Sequence, residues 1–489
     1  MSVVATPARE RAIGLPLPAR PRLITAAVVL ASVLAAVALR LPYLHVPLGP
    51  DEGGLSFIAQ QWGSASGSLY GAYWIDRPPL LLALFKLAIT AGPVGVRALG
   101  TAGAAALVAA AAAVAGMLGG HRAARVAAGL TAVMASAVAL SAVFTPSELL
   151  ASVLAAASVG CLLVAHHKER ARELFLAGVL AAGALMIKQS FIDAGAAGAV
   201  FLLITAARLR TRAVPLIGAY GAGLLLPIAA GAATVAALGG SVGGLAYALI
   251  GFRIGALETL AGSSIPLQDR MLSLGLPALG SGLALLLTLV PAGLRRLHDR
   301  RVVAILAAWI GAGTVGVLAG GSYWPHYLIQ LAAPVAILAA LAVGKPTRVH
   351  LATIALALAI GTTVTIAGAV QVHERPPESP ELAIARYVRA HADPGDTQYV
   401  LYAHANLDYY DGLPSPFPYE WSLIDRGVPN AIPRLQRLLA SPHRPTWVIG
   451  WQSTASWGLD PDGVTARLLH DHYRRVAVID AHPIWHRTT

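Results

Sequence analysis

A single cysteine in 489 residues, Cys161, excludes an internal disulfide, and its position inside an apolar run reads as helix filling. Charge is scarce as well. Only 12% of the residues are charged, about half the share of a soluble domain. There is no Gly-rich phosphate loop, no zinc-type Cys/His spacing and no nucleophile elbow, so the chemistries that depend on those motifs have no support here. No cleavable signal peptide is apparent, because the first apolar run is too long for an h-region and reads as an anchor. The net charge of +12 does not point to nucleic acid, since the arginines are scattered in short loops between apolar runs.

What the chain has in abundance is apolar sequence in long runs. Hydrophobic residues make up 56% of it and mean hydropathy is +0.65, the composition of a polytopic membrane protein. The runs predict eleven transmembrane helices at 23–41, 96–118, 126–144, 149–166, 173–187, 191–207, 214–236, 272–294, 302–320, 328–343 and 349–371. Basic residues recur at Arg9/Arg11/Arg20/Arg22, Arg122/Arg125, Lys168/Arg170/Arg172, Arg208/Arg210/Arg212, Arg295/Arg296/Arg300/Arg301 and Lys345/Arg348, all on one side of that topology. The opposite side is read as holding the sparser Arg77, Lys86, Arg97, Lys188, Arg253 and Arg270. By the positive-inside rule the richer side is cytoplasmic. The expected arrangement is then a cytoplasmic N-terminal tail (1–22), a membrane region (23–371) and an outward C-terminal domain (372–489) in the plasma membrane. Outward loops fall at 42–95, 145–148, 237–271 and 321–327.

The C-terminal part changes character after the Pro-rich His373-Glu374-Arg375-Pro376-Pro377 linker. Helical patterns near 380–391, 431–440 and 461–471 alternate with strand patterns at Thr397–Tyr402, Thr446–Gly450 and Arg475–Ile479. Such alternation predicts a small α/β domain with a partly parallel sheet.

The residues that bear chemistry lie on the outward side. Asp51-Glu52 follows the first span, and Asp76-Arg77-Pro78-Pro79 closes the same loop. Surface acids need no neighbours, but two acids and an ion pair in one outward loop fit an enzyme at the bilayer surface. One acid could take a proton from an attacking hydroxyl. Asp76-Arg77 can simply cap the next helix, or Arg77 can grip a phosphate with two donors. Trp62 and Trp74 read as interfacial anchors, and Pro79–Thr90 as a helix lying in the interface. Glu148, in the short turn Phe144-Thr145-Pro146-Ser147-Glu148, is either a helix-start acid or a group that positions substrate or a divalent cation. Lys188 either snorkels or meets a lipid phosphate. The turn Pro325-His326-Tyr327 offers ring donors to a phosphate or sugar hydroxyl, and Arg253 could add a phosphate contact.

Taken together, these motifs resemble the polyprenyl-phosphate-sugar-dependent glycosyltransferases of the GT-C fold, in particular the protein O-mannosyltransferase and aminoarabinose-transferase superfamily. The resemblance rests on Asp51-Glu52, on Asp76-Arg77-Pro78-Pro79 as a D-[KR]-P-P element, on Glu148 and on Pro325-His326-Tyr327, in that order and on one side. It spans about 23–371. It implies inverting transfer of a sugar from a polyprenyl-phosphate donor to a cell-envelope glycan, lipid or protein. Asp51 would be the general base, with Glu52 orienting it or the acceptor. Arg77, Lys188 and Tyr327 would bind donor phosphate, and Asp76, Glu148, His326 and Arg253 would contact substrate. The family more often has Asp where this chain has Glu148, which weakens a metal assignment, so no cofactor is implied beyond a possible divalent cation. Two other readings are a secondary transporter or lipid flippase, and a scaffold for envelope assembly. A transporter would place charges near the midplane in two related halves, and neither is evident in the sequence.

Overall fold

The structure, a computed structural model, describes residues 19–63, 68–168, 170–261, 266–374 and 379–488. The first 18 residues of the expected N-terminal tail and residues 375–378 of the expected linker lie outside the described residues. Among those described, seven stretches are long and apolar enough to cross a membrane: Pro21–Tyr43, Pro79–Met134, Ser147–His166, Asp193–Ala237, Arg300–Leu318, Pro325–Ala342 and Arg348–Glu374. The chain is a multi-pass membrane protein.

Its first part runs through α1 (Ala19–Arg40), α2 (Pro50–Gln61), α3 (Pro79–Ala88), α4 (Gly92–Met134), α5 (Ser147–Lys168), α6 (Ala171–Ile187), α7 (Asp193–Leu209) and α8 (Val214–Ala237). At 1.5 Å per residue α1 alone reaches about 33 Å, enough to span a hydrocarbon core. Helix α4 holds 43 residues and breaks at Gly120, whose φ of 71° is the left-handed region that glycine enters without steric cost. Small residues let the helices approach. A Cβ on Gly178 of α6 would lie 2.3 Å from the Tyr220 carbonyl oxygen, and one on Gly223 of α8 2.1 Å from the Phe175 carbonyl oxygen. Close backbone contact of this kind is how helices associate in lipid, where burial of apolar surface drives nothing.

Several expected boundaries differ. The helix expected at 126–144 stops at Met134, and the buried irregular segment behind it is held by Arg40, which donates to the carbonyls of Ala135, Ala142 and Phe144. Irregular backbone at membrane depth is tolerated where protein groups satisfy it, and a buried guanidinium does so here. The run at 272–294 is three short helices, Gly275–Gly280, Leu283–Leu287 and Val290–Leu294, interrupted at Gly282 (φ 78°). Trp62 and Trp74 are buried, not interfacial: Trp74 packs on Phe252, Tyr419 and Tyr247.

Residues 380–488 carry a four-stranded mixed sheet of order β1-β2-β4-β3, with β1 (Gln398–Val400), β2 (Trp447–Ile449), β3 (Tyr473–Ile479) and β4 (His482–Arg487). Strands β1 and β2 are parallel, and β4 runs antiparallel to both β2 and β3. Strand β4 is absent from the pattern expected of the sequence. Its hairpin turns at Asp480-Ala481, both with positive φ (47° and 66°), where the usual signal is Asn-Gly or Asp-Gly, and Pro483 lies inside the strand. One apolar core joins Leu55, Phe57, Trp62 and Trp74 to Tyr399, Tyr402, Tyr419 and Leu435, so the C-terminal segment packs directly on the first loop.

Candidate active site

The acidic pair begins α2, with Gly49 before it and Pro50 at the first helical position. Acids in the first turn suit the positive end of the helix dipole, but the two side chains part company there. Glu52 turns inward and is buried. It accepts hydrogen bonds from Arg97 Nη1 at 2.7 Å, from the Thr145 N–H at 2.8 Å and from the Gly49 N–H at 3.4 Å. Arg97 also donates to the carbonyls of Val46 and Pro47 and lies over the Phe144 ring at 4.6 Å. Glu52 thus braces the first loop against the turn that carries Glu148, and its environment is that of a structural ion pair. Asp51 is exposed, and its Oδ1 accepts from the Trp421 indole N–H at 3.2 Å.

Asp76 is buried between two guanidiniums, Arg77 Nη1 at 2.5 Å and Arg253 Nη2 at 2.5 Å. Burial would raise its carboxyl, but Arg253 and then Arg77 outweigh it and hold it below the ordinary carboxylate range. Burial would likewise lower the Arg77 guanidinium, yet Asp76 and Asp51 overcome this and raise it, which puts the exposed acid within the electrostatic reach of Arg77. The backbone is fixed from two sides, by the Tyr70 hydroxyl donating to the Arg77 carbonyl at 2.6 Å and by Gln189 Nε2 donating to the Asp76 carbonyl at 2.7 Å.

Glu148 completes the cluster. At the start of α5 it is buried, pairs with Lys188, and has His326 Nε2 at 3.6 Å. The Lys188 ammonium lies 4.5 Å above the Tyr327 ring, and His326 meets the same ring edge-on at 5.1 Å. Lys188 therefore points inward from the end of α6 and does not snorkel. Asp76, Arg77, Glu148, Lys188, Arg253, His326 and Tyr327 come together with Asp51 within electrostatic reach, the eight being drawn from five separate segments of the sequence. Three carboxylates face two guanidiniums, one ammonium and one histidine. Buried Arg253 Nε has no hydrogen-bond partner among the described residues, a donor left open in a cationic site.

The donor set does not fit a resident divalent cation. Asp76 is neutralised by two guanidiniums and Glu148 by an ammonium and an imidazole, and among the described residues no three His, Cys, Asp or Glu side chains are arranged to hold a metal. The other cations expected on the outward side are structural. Lys86 donates to the carbonyls of Ala59 and Trp62 at the end of α2, and Arg270 ties Leu260 to Gly321 at 2.8 Å each. A groove of about 260 Å³ between α4 and α5, lined by Met117, Gly160 and Cys161 among others, lies away from the cluster.

Sequence reasoning missed Arg40 and Trp421. Nothing in the order of residues marks a tryptophan 370 positions from Asp51 as its neighbour. Gly53-Gly54, directly after the acids, was the available sign that something presses on α2 there.

A family model described as dolichyl-phosphate-mannose-protein mannosyltransferase matches residues 76–230. No curated protein matches the chain by sequence. Among solved structures, the chain is similar to ArnT from Cupriavidus metallidurans bound to undecaprenyl phosphate, with a TM-score of 0.65 at 13% identity over 95% of this chain and 97% of that one. It is also similar to the archaeal oligosaccharyltransferase AglB from Archaeoglobus fulgidus, in complex with an inhibitory peptide and a dolichol-phosphate, with a TM-score of 0.55 at 13% identity over 92% of this chain and 72% of that one. The likeness to the GT-C fold, first visible in a few short motifs, extends over nearly the whole chain.

Proposed function

We propose that this chain is a membrane glycosyltransferase that moves a sugar from a polyprenyl-phosphate donor to a cell-envelope acceptor at the outer face, with inversion. The observation that carries the reading is the approach of one exposed carboxylate, Asp51, to a cluster of cations that retains an open buried donor, Arg253 Nε. Arg77, Lys188 and Tyr327, with Arg253 beside them, hold the donor phosphate. The acceptor hydroxyl oxygen attacks the anomeric carbon as the bond from that carbon to the phosphate oxygen breaks. Its proton passes to Asp51, and polyprenyl phosphate leaves with the bonding pair. Cations fixed before the reaction stabilise the charge that builds on the leaving oxygen without reorganising. Asp76 and Glu148 keep those cations in position, and His326 lies where it can reach the same phosphate. Glu52 is a positioning residue, joining the helix of Asp51 to the turn of Glu148.

The ArnT and AglB structures hold undecaprenyl phosphate and dolichol-phosphate, and a family model for a dolichyl-phosphate-mannose enzyme matches here, so a lipid-phosphate donor is the natural ligand class. The asymmetry of arginines supports a cytoplasmic N-terminus and an outward C-terminal segment. The test is mass spectrometry of envelope glycans, lipids and proteins with and without the gene. The expected result is loss of one sugar substituent together with accumulation of its polyprenyl-phosphate form. An unchanged glycan profile with no accumulated donor overturns the proposal.

A further inference from the structure

Two glycines come directly after the acidic pair, and both lie in α2 with ordinary helical φ, so neither is needed for backbone freedom. Space explains them. A Cβ on Gly53 would lie 2.3 Å from Asn406 Cβ, and one on Gly54 2.5 Å from Trp421 Cζ2 and 2.6 Å from Ala405 Cβ. The segment Ala405–Trp421 crosses the helix there as a strap. Asn406 Nδ2 donates to the Leu48 carbonyl at 3.2 Å, and the Tyr410 hydroxyl contacts the Leu48 backbone. The Trp74 N–H donates to the Pro418 carbonyl at 3.2 Å, and the Trp74 and Tyr419 rings meet edge to face at 5.8 Å. Where the strap begins, Tyr402 and His404 both have positive φ (63° and 61°). His404 is stacked on Trp451 at 3.6 Å and lies 3.1 Å from Glu381. Strained backbone persists only where its surroundings over-determine it, and here the pinned residues set the path of the strap.

We propose that this strap is a working part of the catalytic site: Trp421 holds the Asp51 carboxylate through its indole N–H, and Gly53-Gly54 are the docking surface that admits it. An indole N–H can only donate, so Asp51 must be the acceptor. With Oδ1 engaged at 3.2 Å, Oδ2 is the oxygen left for an acceptor hydroxyl. Trp421 acts on the reaction through Asp51 and is a positioning residue. This rests on the reading of Asp51 as general base, but the contact itself can be tested without any transfer assay.

The first measurement is an indole N–H spectrum of the full-length protein in nanodiscs with ¹⁵N-labelled tryptophan, the Trp421 resonance being assigned by its loss in Trp421→Phe. That resonance is expected to move in Asp51→Asn; an unmoved resonance overturns the contact. The second is steady-state transfer. Trp421→Phe is expected to lower kcat about ten- to hundredfold, the weight of a hydrogen bond to a charged group, while the Kd for undecaprenyl phosphate stays unchanged. Trp421→His, which restores a ring N–H, is expected to recover part of the loss. Wild-type kcat in Trp421→Phe, or an equal loss of lipid binding, overturns the positioning role. If the wild-type protein transfers no sugar from any donor tried, the functional reading falls and the spectrum alone decides whether the strap holds Asp51.

Discussion

Replacing Arg77 by alanine should weaken donor binding far more than it weakens the fold. The Arg77 side chain is 20% exposed and uses Nη1 on Asp76, whose second oxygen is already held by Arg253 at 2.5 Å. Its removal therefore leaves no buried acid without a partner, and the cost to folding is expected at about 1 kcal/mol or less, as for other partly solvated pairs. A donor phosphate, by contrast, loses a charge-assisted hydrogen bond worth about 1.5–3 kcal/mol, or about ten- to hundredfold in Kd. Undecaprenyl phosphate binding to the protein in nanodiscs, measured beside thermal unfolding of the same sample, separates the two. Arg77→Lys should fall between, keeping the charge and losing the fork. Glu148→Ala is the control with opposite balance, because it strands the buried Lys188 ammonium and should cost about 3–5 kcal/mol of stability. An Arg77→Ala protein with unchanged Kd, or one that unfolds as readily as Glu148→Ala, refutes this account of the phosphate site.

The two members of the acidic pair should separate in the same way: Glu52→Ala leaves Arg97 buried and should lower unfolding stability by about 3–5 kcal/mol, whereas Asp51→Ala should leave it nearly unchanged, as read from denaturation midpoints. In the C-terminal segment burial pushes the Glu420 carboxyl from its ordinary 4.5 up to about 7, against the hydrogen bonds of Asp408 and Ser415, and burial raises the neighbouring Asp408, Asp411 and Asp425 carboxyls as well. Between those values the folded state holds a proton that the unfolded chain has released. Stability should therefore fall as pH rises from about 4.5 to about 7, at about 1.4 kcal/mol per pH unit for each proton so held, Glu420 contributing one of them. A pH series of unfolding midpoints checks this, and Glu420→Gln should make the slope shallower by about one proton's share, the aspartates keeping theirs; a slope of opposite sign contradicts it.

The cluster was legible because it is built from residue types that have little other reason to stand at the edge of a membrane. Asp51, Asp76, Arg77, Glu148 and Lys188 are expensive there, so each stood out singly, and their shared side brought them together. What the residues by themselves left open was which member of Asp51-Glu52 is exposed and which is buried, and only the resemblance put Asp51 forward. That depends on Arg97 and Thr145, which approach from other elements. Trp62 and Trp74 misled for a related reason: the sequence shows amphipathic rings in a loop, and only the docking of Tyr419 and Phe252 shows that they are covered. The ends of the long apolar runs were equally hidden, since a left-handed Gly120 or an Arg40 capping three carbonyls leaves hydropathy untouched. Strand β4 escaped because Asp480-Ala481 turns the chain by backbone geometry that its residue types do not advertise.

Asp51→Asn in nanodiscs, supplied with the polyprenyl-phosphate sugar found to accumulate without the gene, puts the greatest weight on the fewest atoms. Transfer is expected to fall by about a hundred- to ten-thousandfold, the span of a lost general base, with the lipid's Kd and the unfolding midpoint unmoved. Transfer at the wild-type rate by that variant would contradict the account.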